Sequence, residues 1–154
     1  LYITNSVQEE VGLRGAQMIT ETIRPNVAIV TDVTHDTHTP MINKIKEGDC
    51  KMEKGPVLTF GPSVQNNLLK LIINTAKQHK IDIQRAAASR STGTDTDAFA
   101  FSTGGVASAL ISLPLRYMHT TVETVSKKDV ESVIMLIYNS LLNIKKNHDF
   151  RYLK

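Results

Sequence analysis

Short apolar runs alternate with stretches of helical periodicity along this chain, and that alternation restricts its fold more than any other feature. The pattern belongs to α/β proteins, in which strands and helices pack in layers. Leu1 to Val7 reads as the tail of a strand. Leu13, Ala16, Ile19 and Ile23 then recur at helical spacing until Pro25 stops them. Val27 to Thr31 is a buried-type strand with Asp32 at its end, and Asp36 to Lys54 is a polar loop or surface hairpin. Gly55 to Phe60 gives a short strand. Ser63 is placed to cap a helix running to about His79, with Leu68, Leu71, Ile72 and Ala76 inward. Ile83 to Ala88 is a further strand, followed by a short helix from Asp95 to Ser102. Val106 to Leu113 is a buried strand that Pro114 should end. A long last helix follows, with Ser126 and Asp129 spaced as a capping box and Val130, Val133, Ile134, Ile137, Leu141 and Ile144 as its stripe.

The 154 residues suffice for one domain with a real core. A net charge of +3 is spread along the chain, with no basic stripe interleaved with aromatics, so nucleic acid is not an expected partner. The longest apolar stretch, Val130 to Ile144, is interrupted by Asn139, Ser140 and Asn143, so no membrane span is expected. Cys50 is the single cysteine. It excludes an internal disulfide and a cysteine-based zinc site, fits a reducing, cytoplasmic compartment, and receives no role. The chain opens on Leu1-Tyr2-Ile3 without an initiator Met and reads as a piece of a longer protein.

The chemistry concentrates where strands stop. Glu9 and Glu10 lie at a strand-to-helix turn, and adjacent acids disfavour each other's ionisation unless a cation stands beside them. The plainer alternative is two exposed acids favoured by a helix macrodipole. Asp32 closes the second strand, and His119 follows the late one. In open α/β sheets ligands gather beyond the carboxyl ends of strands, so parallel strands would bring the three sets into one crevice. Glu, Asp and His together suit zinc, manganese or cobalt.

Gln8-Glu9-Glu10-Val11-Gly12-Leu13-Arg14-Gly15-Ala16, Thr31-Asp32-Val33-Thr34-His35, Gly93-Thr94-Asp95 and Pro114-Leu115-Arg116-Tyr117-Met118-His119 closely resemble, in order, the tetrahedral or deblocking (glutamyl) aminopeptidases. These are dinuclear zinc exopeptidases of metallopeptidase clan MH, some labelled endoglucanases. The resemblance implies a zinc-exopeptidase-like α/β fold, a mixed sheet flanked by helices, and two divalent ions, zinc or cobalt, in the parent enzyme. It implies Glu9 as the general base, Glu10 and His119 as ligands of one metal, and Asp32 as a ligand of the other. The substrate would be a peptide with a free N-terminus, and the parent a homo-oligomer. The family's remaining histidine and bridging aspartate lie upstream of the Glu-Glu pair, where only eight residues precede Glu9 and none is His or Asp. Residues 1–154 therefore read as the C-terminal part of the catalytic domain, without its N-terminal part or inserted dimerisation domain. Such a piece should hold at most one metal, weakly, and be inactive alone.

Other residues invite discounting. His35, Asp36 and His38 read as turn formers or surface groups. Asp95 and Asp97 sit in a first helical turn behind the capping Thr94, while the resemblance also puts Asp95 beside the substrate. Arg116 could meet a substrate carboxylate or carbonyl, or form a structural salt bridge. Tyr117 and Met118 read as packing residues, and His79 and His148 as chemically idle. A catalytically dead α/β binding or assembly module is the main alternative. A glycoside hydrolase ranks last, because adjacent acids cannot easily flank a sugar across the ~5–9 Å such enzymes need.

Overall fold

A computed structural model describes residues 1–152. The elements run α1 (Arg14–Ile23), β1 (Val27–His35), α2 (Lys44–Glu47), β2 (Val57–Phe60), α3 (Asn66–Gln78), β3 (Gln84–Ala87), α4 (Asp95–Ala100), β4 (Ala107–Arg116), β5 (Thr124–Val125) and α5 (Lys127–Asn143). The strands form one mixed sheet in the order β1-β4-β2-β3, with β5 added to β4. β1 and β4 are parallel in a register from Val27 opposite Ala107 to His35 opposite Leu115. β2 runs antiparallel to β4 and parallel to β3.

Side chains alternate across a strand, so β1 feeds two cores. Val27 and Ile29 join Leu58, Leu68, Ile72, Ile111, Val133 and Leu136 beneath α3 and α5. Ala28 and Val30 join Ala16, Ala98 and Phe99 beneath α1 and α4. The sheet is thus sandwiched between helices, as expected. The first core supplies most of the hydrophobic stabilisation, at about 1.5–3 kcal/mol per fully buried aliphatic side chain. The second is built on alanines, which let α1 and α4 lie close to the sheet.

Several expectations change. Leu1 to Val7 forms no strand, and Leu1, Tyr2 and Ile3 are exposed. The Val7 carbonyl accepts from the Gly15 amide (2.9 Å), which ties this segment to α1 rather than to a ladder. β1 continues to His35, so Asp32 lies within the strand and not at its end. β4 runs through Pro114. The Leu115 carbonyl faces β1, where it accepts from the Asp36 amide (2.8 Å), so the Pro114 nitrogen faces the other edge. That edge passes from β2, paired at Ser112, to β5, paired at Leu115, and asks no N–H of residue 114.

The helix ends also differ. Gln65, not Ser63, caps α3, its side-chain oxygen accepting from Asn67 (2.6 Å) and Leu68 (3.1 Å) amides. Ser126 caps α5 through the Lys128 amide (3.3 Å), but Asp129 does not complete a capping box. Its buried carboxylate instead accepts from the Glu53 (2.7 Å) and Gly55 (3.0 Å) amides. Ile134 is exposed, and Leu136 takes the core position. Residues 36–54 form a loop carrying α2 rather than a hairpin. Paired bonds between Thr37 and buried Cys50 close it.

Candidate metal centre

The parallel pairing of β1 and β4 opens both carboxyl ends on one side of the sheet, and the Glu9–Glu10 turn lies there. Gln8, Gly12 and Leu13 adopt positive φ (61°, 119° and 57°), and the Gly12 and Leu13 amides donate to the Glu9 carbonyl (3.1 and 3.0 Å). A side chain at Gly12 would be strained. A Cβ at Gly15 would lie 2.4 Å from the Val7 carbonyl oxygen, so glycine is what lets the turn fold back on the helix. α1 begins only at Arg14 and has no acid in its first turn. The macrodipole therefore does not account for Glu9 and Glu10.

His119 follows β4 in a turn where Tyr117 and His119 both take positive φ (59° and 62°). Its amide donates to the Glu123 carboxylate, which fixes the turn. His119 Nε2 then stands 3.3 Å from Glu10 Oε1. Both side chains are well exposed, so as an ion pair alone they contribute little. Asp32 shares strand parity with Ala28 and Val30 and so faces the α1–α4 layer, where it is half-buried. Its Oδ1 accepts from the adjacent Val33 amide (2.7 Å). Asp95 starts α4 behind its cap Thr94 and is 8% exposed. Ser6 donates its hydroxyl to Asp95 Oδ2, while the buried Oδ1 has no hydrogen bond among the described residues.

These groups form one electrostatic cluster. Burial raises the Glu9 pKa above the ordinary carboxylate value, the negative charges of Asp32, Glu10 and Asp95 raise it further, and His119 partly opposes them. Burial also raises Asp32, against the Val33 hydrogen bond, with Asp95 and Glu10 adding to the rise. Carboxylate oxygens beside an imidazole nitrogen are a suitable donor set for a divalent ion such as zinc or cobalt. The fit is partial: Glu10 and His119 meet, but among the described residues no group of three or more His, Cys, Asp or Glu could hold a metal ion.

The remaining candidates fall outside this cluster. Arg116 makes no salt bridge among the described residues. Its guanidinium carbon lies 5.2 Å from the centre of the Tyr117 ring, and its buried Nε has no acceptor among the described residues. Asp36 Oδ1 accepts from the His38 amide (2.8 Å), and His38 Nε2 meets Asp49 (2.9 Å). Both serve the loop, as expected. Asp97 accepts from Ser63, Thr92 and Gly93 and is structural. Ser6 and Glu123, which brace Asp95 and His119, went unnoticed in the sequence because neither belongs to a motif.

Residues 1–136 match the M42 glutamyl aminopeptidase family. The lysyl aminopeptidase of Pyrococcus furiosus is 39% identical over 150 residues, covering 97% of this chain and 42% of that protein. The glutamyl aminopeptidase of Lactococcus lactis is 30% identical over 123 residues, 78% of this chain and 33% of its own length. A TET aminopeptidase from a marine sediment Thaumarchaeota archaeon superposes with a TM-score of 0.79 at 36% identity, covering 87% of this chain and 38% of that one. The Pyrococcus horikoshii TET1 peptidase, which can assemble into a tetrahedron or a large octahedral shell, gives 0.68 at 28% identity over 88% of this chain and 38% of its own. The chain thus spans less than half the length of each relative. Because the family match runs through the Glu9–Glu10 turn, Asp32, Asp95 and His119, the chain belongs to the M42 glutamyl aminopeptidases.

Proposed function

We propose that the protein carrying this chain is a metal-dependent aminopeptidase that removes N-terminal residues from peptides, with Glu9 as its general base. One observation carries the reading. Of two adjacent acids outside any helix, Glu10 stands against His119 at 3.3 Å, while Glu9 makes no ion pair among the described residues and has a raised pKa. The two residues are thereby divided between holding a cation and handling a proton. Glu10 and His119 would hold one divalent ion, and Asp32 would contribute to a second, zinc or cobalt, with ligands from the rest of the parent. Such ions polarise the scissile carbonyl and lower the pKa of water. Glu9, kept off the metal and shifted toward neutral pH, takes the proton from the attacking water and returns it to the leaving amine.

The substrate is a peptide with a free amino terminus, and the parent is a homo-oligomer, a reading that the assembled relatives support. A cytoplasmic setting suits the free, buried Cys50. Among the described residues no helix is long and apolar enough to cross a membrane. The isolated chain, holding at most one ion weakly, is inactive.

The test uses the parent enzyme on unblocked and N-acetylated peptides, after chelation and again with zinc or cobalt. The unblocked peptide alone is cleaved, metal restores the activity, and Glu9→Gln lowers it about 10²–10⁴-fold. Equal cleavage of the acetylated peptide, or full activity in Glu9→Gln, would refute the assignment.

A further inference from the structure

We propose that Glu123 is a positioning residue for the metal: its carboxylate holds the His119 amide, and with it the strained backbone that aims the imidazole at Glu10. The inference rests on the aminopeptidase reading above and adds to it a residue that acts only through His119.

His119 stands in a short, strained loop. β4 ends at Arg116, β5 begins at Thr124, and these two residues lie opposite each other in the antiparallel ladder. Residues 117–123 therefore close over a single pair of strand ends. Within the loop Tyr117 and His119 take positive φ, 59° and 62°, a conformation that costs energy for any residue with a Cβ. The Thr120 amide and hydroxyl both return to the Tyr117 carbonyl (3.1 and 2.6 Å), which secures the first of the two. The second is secured differently: the His119 amide donates to the Glu123 carboxylate, four residues on.

Glu123 suits that duty. It makes no ion pair among the described residues, and its neighbour Thr124 is fixed in the ladder, so its own backbone cannot drift. A charged acceptor binds an amide about twice as strongly as a neutral one. At the other end of the contact, the His119 side chain is 63% exposed, so packing contributes little to its aim at Glu10. The backbone must supply that aim. A zinc-bound imidazole nitrogen sits at about 2.0–2.1 Å with a tolerance of about 0.2 Å, far tighter than relaxation of His119 to an ordinary φ would leave.

A bond that only stabilised the loop would alter melting and leave metal affinity alone. The test is therefore a cobalt titration of the parent enzyme, read by the visible absorption of the bound ion, with thermal melting alongside. We expect Glu123→Ala to weaken cobalt binding about tenfold and to alter the spectrum, as for other residues that orient a ligand from behind. Glu123→Gln should keep most of the affinity, because its amide oxygen can still accept from His119. In a His119→Ala background Glu123→Ala should add no further loss. Unchanged affinity and spectrum in folded Glu123→Ala overturn the proposal. So does an equal loss in Glu123→Gln, or the same loss once the imidazole is gone. If Glu123→Ala does not fold, Glu123→Asp replaces it, since it keeps the charge one methylene short of the amide; unchanged affinity is then equally fatal. His119→Ala alone separates the two levels. A loss there beside an unaffected Glu123→Ala rejects this inference only, whereas unchanged affinity in His119→Ala rejects the metal reading itself.

Discussion

Acids at two places in this molecule receive opposite treatment. Asp129 and Asp97 are surrounded by donors. The first gathers the Glu53 and Gly55 amides against the start of α5, and the second gathers Ser63, Thr92 and Gly93 at the start of α4. Glu9 and Asp32, across the sheet's carboxyl ends, are surrounded mainly by other acids. A carboxylate that fastens loops has its charge spread over N–H and O–H groups and stabilises the fold. A carboxylate kept for a cation stays short of donors, and the apo fold bears the repulsion.

The largest effect that would sharpen this contrast is at Asp129. Asp129→Ala strands the Glu53 amide and the buried Gly55 amide, and urea unfolding should show a loss of about 2–3 kcal/mol; a loss within error would remove Asp129 from the structural set. At the other pole, His119→Ala in the parent should weaken zinc or cobalt binding at least tenfold, read by metal titration. Unchanged affinity would detach His119 from the metal. Asp97→Ala should cost about 1–2 kcal/mol at neutral pH. Burial would raise the Asp97 pKa, but the hydrogen bonds from Ser63, Thr92 and Gly93 outweigh it and hold it below its ordinary 3.8. Its stabilisation is therefore present above that value and fades as pH falls through the lower folded-state pKa. The deficit of the variant should close in strong acid.

The smallest effect has the opposite sign. Burial raises Asp32 above 3.8 in the folded chain, so its favourable contribution exists below that pH and is lost as pH rises through the folded-state value. Asp32→Asn should accordingly stabilise the metal-free chain at pH 7 by about half a kcal/mol, since the group is partly exposed and screened. The gain should vanish near pH 3. Destabilisation at pH 7 would place Asp32 among the structural acids and break the contrast.

How far the sequence disclosed this arrangement depends on the range of the interaction. The inner faces of α1 and α3 and the short strands follow from local periodicity and were legible, as was the meeting of Glu10 with His119, although Asp32 lies inside β1 and no strand precedes Glu9. Asp129 was misread because its spacing from Ser126 matches a capping box, while its actual partners lie 74 and 76 residues away. Ser6 was invisible as the partner of Asp95 for the same reason, at a separation of 89. Pro114 looked like a strand terminator because nothing local tells which edge its nitrogen faces. Leu1 to Val7 carried a strand pattern, but a strand exists only where a neighbour completes its ladder.

β4 is the hinge on which the sheet's assembly turns. Among the described residues it alone joins β1 to β2, and it comes late: Val27 can meet Ala107 only once that residue has been made. During synthesis the ribosome therefore releases β1, β2 and β3 before the strand that unites them. The nascent chain carries unpaired backbone and apolar surface until residues 107–116 emerge, and closure of the sheet is a single late, long-range event. Chaperone demand should be concentrated in that interval.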